Sequence, residues 1–98
     1  MDGRFPEILP GALADLREAR AWYSQRSGKA AADFTAEVAR ASKIILEAPN
    51  RWPKFRRGTH RYILDRFPYL VVYRVFDDRV AIVAYQHGMR KSGFWRGR

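Results

Sequence analysis

The chain has 98 residues, no cysteine, and 19 Lys and Arg against 10 Asp and Glu, a net charge of +9. That length fits one domain, residues 1–98, with a modest core, and the lack of thiols excludes a disulfide framework and a thiolate zinc site. No apolar run approaches a membrane span or a signal-peptide core, so a cytoplasmic protein that meets no membrane is expected.

Residues 4–9 contain Phe5 and Ile8, with Pro6 restricting them to an edge strand. Pro10 fits the first turn of a helix, where its missing N–H costs nothing. Residues 11–26 carry a helical stripe of Leu13, Leu16, Ala19 or Arg20, and Tyr23, flanked by Ala12 and Trp22. Ser27 and Gly28 mark the stop. Residues 29–48 form the second helix: Phe34, Val38, Ala41 and Ile45 recur at helical spacing, Ile44 widens the stripe, and Pro49 ends it. A short connector makes the pair an antiparallel hairpin.

Residues 50–58 mix aromatics with basic side chains. Three runs rich in Val, Ile, Tyr and Phe follow, at 59–65, 69–76 and 79–87. Pro68 sits at a strand start, and Asp77-Asp78 reverses the chain between the last two runs. The fold class is therefore α+β: an N-terminal helical hairpin packed on a C-terminal antiparallel sheet of three to four strands. Phe34, Val38, Ile45, Val71 and Tyr73 are expected inside.

The charge is uneven. Residues 1–50 hold seven basic and seven acidic side chains, whereas residues 51–98 hold twelve and three, so the whole excess lies in the second half. Such a field favours a polyanionic or acidic partner; the alternative is solubility. Lys54, Arg56, Arg57, Arg61 and Arg66 offer a phosphate-facing patch, with Trp52 and Phe55 as stacking surfaces or as packing aromatics.

Alternation along 69–76 puts Leu70, Val72, Arg74 and Phe76 on one face. Arg74 marks that face as reaching solvent, which makes it a docking surface for an apolar, acidic segment unless Phe94 and Trp95 fold back over it. No Gly-rich phosphate loop, HExxH helix or Ser/His/Asp arrangement occurs, and no cofactor or metal is expected. His87 stands near Tyr85, Arg90 and Lys91. Those groups suit RNA cleavage, with His87 as acid or base; the other reading of His87 is a strand-end residue bonded to backbone.

Several stretches together resemble the RelE/ParE toxins of bacterial type II toxin–antitoxin systems. They are Ala14-Asp15-Leu16 with Trp22-Tyr23, Pro49-Asn50-Arg51-Trp52-Pro53, Arg61-Tyr62, and the run from Arg66 to Val75. The ending from His87 to Trp95 is similar to the family's His-x-x-Arg-x-Pro-Gly-Tyr-Trp close, with Ser92 where proline is usual. The resemblance implies a helical hairpin on an antiparallel sheet. It also implies a cognate antitoxin, small, acidic and partly disordered, that wraps the toxin in a hetero-oligomer and meets Leu70, Val72, Arg74 and Phe76.

Target or nucleic-acid contact is expected at Arg56, Arg57, Arg61, Arg90, Lys91, Phe94 and Trp95. RelE-like members cleave mRNA on the ribosome, and such a role would fall to Arg61, Tyr85, His87 and Arg90. ParE-like members inhibit DNA gyrase. Cleaving members carry a basic residue where this chain has Leu70, so the resemblance favours a ParE-like gyrase inhibitor. A ribosome-dependent endoribonuclease and a non-toxic relative are the alternatives.

Overall fold

A computed structural model describes residues 5–89, 94–95 and 97–98. The order of elements is strand β1 (Glu7–Ile8), helices α1 (Pro10–Arg26) and α2 (Gly28–Glu47), a 3-10 turn (Arg56–Gly58), and strands β2 (His60–Ile63), β3 (Tyr69–Val75) and β4 (Val80–His87). Pro10 opens α1 as expected. The connector between the helices is Ser27 alone, which serves both: its N–H bonds the Tyr23 carbonyl, and its Oγ accepts the Ala30 amide at 3.2 Å. Gly28 therefore already belongs to α2.

The sheet runs β1-β4-β3-β2. The three-stranded meander is antiparallel, but β1 joins β4 in parallel, so the four-stranded sheet is mixed rather than wholly antiparallel. The cause is the helical hairpin, which returns the chain to the far side of the sheet before the meander begins. Arg79, next to the β3–β4 turn, holds Glu7 of β1 at 3.0 Å. At the opposite margin, segment 53–55 lies along β2. Pro53 O accepts the Arg61 amide, and Phe55 N donates to Thr59 O.

Both helices lie on one face of the sheet. Phe34, Val38, Ala41 and Ile45 of α2 are buried, as are Val71, Tyr73, Ile82 and Tyr85 of the sheet. On α1 the fully buried residues are Ala12 and Ala19, small enough to bring the helix close to the strands, while Leu16 and Tyr23 flank them. Trp22 stays 48% exposed.

Two features were not expected. A bulge in β4 interrupts the pairing: Val72 faces Ala84, yet Tyr73 faces Ile82. The extra residue, Val83, packs with Ala84 on the face away from the helices. And Glu37, on the buried stripe of α2, accepts the amides of Asp65 and Arg66. Its second carboxylate oxygen lies 3.6 Å from Arg66 Nε. β2 ends at Ile63, short of the expected 65: the Leu64 amide still reaches Tyr69 O of β3, but the amides of Asp65 and Arg66 turn to α2.

Candidate functional site

The face of β3 away from the helices carries Leu70, Val72, Arg74 and Phe76, as alternation requires. Its centre is closed. Val72, Val83, Ala84 and Trp95 form a second buried cluster, with Leu9, Phe55, Leu70 and Phe94 around it. Trp95 Nε1 donates to the buried Gln86 Oε1 at 2.9 Å, which satisfies the indole as it enters the protein. Beyond it, Arg98 reaches α1: its guanidinium holds the Asp15 carboxylate at 2.6 and 3.3 Å. Its guanidinium lies so close to Gly11 that a Cβ there would collide with Nε.

Two expectations need correction. Val72 presents no surface, and Trp95, expected at a target contact, is a core residue. The small side chains of Ala84 and the two valines leave space for an indole, and covering them removes apolar area from water. Leu70 and Arg74 are half-buried, and Arg74 donates to the Arg57 carbonyl at 3.3 Å. Phe76 is 42% exposed beneath Arg79. Ile63, paired with Leu70 on the neighbouring strand, is more exposed still.

The connector forms the cationic margin of this face. Arg57 has φ 56°, in the left-handed region, and Gly58 follows with φ 72°. Thr59 Oγ1 braces the turn by donating to Arg56 O at 2.6 Å. Arg61 lies 5.9 Å from the Phe55 ring. Arg56, Arg57 and Arg61 make no ion pair among the described residues. Trp52 packs edge-on against Tyr62 at 4.8 Å, so of its two readings the packing one holds. Phe94 is half-buried beside Arg98. Arg90 and Lys91 lie outside the described residues.

On the helix side, a cleft of about 360 Å³ opens between α1 and the ends of β3 and β4. α1 contributes Asp15, Glu18, Trp22 and Tyr23; the sheet contributes Tyr69, Tyr85 and His87. His87 Nδ1 accepts the Met89 amide at 3.0 Å, which leaves Nε2 to carry the ring proton. The Tyr85 hydroxyl is buried without a hydrogen-bond partner among the described residues, and burial pushes its pKa up to about 12.

The described members of the expected ribonuclease set are not brought together. Tyr85 and His87 share the helix side, whereas Arg61 belongs to the opposite face of β2, two strands and about 10 Å away. Two carboxylates, Asp15 and Glu18, and no Lys or Arg share the cleft with His87 among the described residues. Reading the sequence missed the cleft, although Asp15, Glu18 and Trp22 stand at i, i+3 and i+7 and therefore share a helical face. No group of three or more His, Asp or Glu suited to a metal gathers among the described residues. Nor is any helix among them long and apolar enough to cross a membrane.

A helical hairpin on one face of a β-α-α-β-β-β sheet defines a class of small α+β proteins with solved members. One, described as the chromosomal ParDE TA system from P. aeruginosa, superposes with a TM-score of 0.74, covering 85% of this chain and 94% of that one at 20% identity. No curated protein matches the sequence. Residues 7–91 match the family described as ParE toxin of type II toxin-antitoxin system, parDE, and the chain belongs to that family.

Proposed function

We propose that this toxin acts by binding, as a non-enzymatic inhibitor of DNA gyrase, and that a cognate acidic antitoxin holds it inactive in a hetero-oligomer. The observation that carries the first part is the separation of Arg61 from Tyr85 and His87, with Asp15 and Glu18 lining the same cleft as the histidine. A phosphodiester there would meet the Glu18 carboxylate and, among the described residues, no lining cation, which does not help the charge that develops in RNA cleavage. Family membership supports the same target.

For the antitoxin, the open parts of the outer sheet face are the contact: Leu70 with Ile63 at one end, Phe76 with Arg74 at the other. Val72 contributes by seating Trp95 between them. Arg56, Arg57 and Arg61 form the adjoining cationic margin for acidic antitoxin or target.

Inducing the chain without antitoxin tests the reading. Gyrase inhibition leaves relaxed or cleaved plasmid, intact message and filamentous cells. Rapid message cleavage at ribosomal A-site codons, lost in His87→Ala, would overturn it in favour of the endoribonuclease. No effect on growth would mark a non-toxic relative.

A further inference from the structure

The cleft between α1 and the sheet is unlike the rest of this basic protein. Asp15 and Glu18 are its charged lining residues, no Lys or Arg lines it among the described residues, and its other walls are largely aromatic. Asp15 is already engaged by Arg98. Glu18 is exposed and makes no ion pair among the described residues. Trp22 forms one lip, set edge-on to Tyr23 at 5.0 Å. Tyr69 and His87 meet edge-to-face at 5.1 Å across the other end.

Flat π faces beside a carboxylate attract a planar cation, which stacks on the rings and donates N–H bonds to the oxygens. The walls already show this chemistry toward the chain's own side chains. Arg26 lies 3.4 Å over the Trp22 ring, and Arg98 clasps Asp15 with two nitrogens. At about 360 Å³, the cleft has the size of a ligand site and exceeds one guanidinium group.

We propose that this cleft is a second protein-binding site, which takes an arginine side chain presented by a partner polypeptide. It lies on the helix side, away from the outer sheet face assigned to the antitoxin, and it does not depend on that assignment. Charge complementarity selects the occupant: Asp15 is already paired with Arg98, and Glu18, the lining carboxylate without a cation among the described residues, remains to take a second guanidinium. The rim selects a polypeptide over a free small cation. Trp22 is 48% exposed, and Met89, two residues beyond His87, is 88% exposed. Apolar neighbours of a bound arginine would cover both.

The test is an NMR titration of the full chain with capped Leu-Arg-Leu, following the ring signals of Trp22, Tyr69 and His87. Saturable shifts confined to these residues are expected. Replacing the arginine by citrulline, of similar shape without the charge, should weaken binding about tenfold or more. Glu18→Gln should weaken it about threefold and Trp22→Ala about fivefold. Both positions are exposed, and unchanged amide spectra will show an intact fold.

Equal binding of the citrulline peptide would overturn the charge recognition. Free arginine binding as tightly as the peptide would overturn the polypeptide partner and leave a small-cation site. Shifts on the outer sheet face, or none in the cleft, would overturn the site itself.

Discussion

Glu37 closes the β2–β3 turn from within α2 by accepting two amides. Glu37→Ala strands both N–H groups under the helix and should cost about 2–4 kcal/mol, read as a lower urea midpoint with unchanged slope. Tyr73 and Tyr85 govern the alkaline limit. Burial raises both phenols from 10.0 to about 12. Their neutral forms therefore stabilise the fold fully below pH 10, and that contribution is lost as pH rises through 12. The two differ at neutral pH. Tyr73 donates to Pro49 O at 2.7 Å, whereas the Tyr85 hydroxyl has no partner among the described residues. Tyr85→Phe should thus raise stability by about 1 kcal/mol and flatten the alkaline fall; Tyr73→Phe should flatten it at a loss of stability. Urea midpoints measured from neutral to strongly alkaline pH check both.

The bulge in β4 and Trp95 act as one unit. The bulge turns Val83 and Ala84 to the same face, and Trp95 covers them. Trp95→Ala should cost about 3–5 kcal/mol in equilibrium unfolding, since it empties that space and leaves Gln86 without its donor. Helix spans and the burial of Phe34, Val38, Ile45, Val71 and Tyr73 were legible because periodicity is a local property of the chain. So was the sorting of β3 side chains, which holds up to Phe76. The bulge breaks period two in β4, and no residue type there announces it. Parallel docking of β1, the Trp95 cover and the cleft rest on contacts between distant positions. Asp15 and Arg98, 83 residues apart, are the extreme case. Glu37 did leave a trace in the sequence, a charge three residues after Phe34 on an apolar stripe.

Over the whole molecule, the unequal charge of the two halves becomes a surface property. Asp33, Asp65, Asp78 and Glu7 each hold a cation within 4 Å, while Arg56, Arg57 and Arg61 hold no carboxylate among the described residues. Binding of an acidic antitoxin should therefore separate into two measurable parts. Encounter is electrostatic, so added salt and Arg57→Ala should slow association and leave dissociation nearly unchanged. Retention is apolar, so Leu70→Asp or Phe76→Asp should speed dissociation about a hundredfold by placing a charge in a desolvated contact. Surface plasmon resonance at two ionic strengths resolves the rates. Unchanged dissociation in a folded Phe76→Asp protein would move the antitoxin off this face.

The arrangement at the two margins of the sheet bears on how the free protein behaves when concentrated. β1 spans two residues, too short to template a long ladder. Along β2, the amide of Arg61 and the carbonyl of Thr59 are already taken by Pro53 and Phe55. A second copy approaching either margin finds little backbone to pair with. Edge-to-edge growth through β1 or the start of β2 should accordingly be disfavoured.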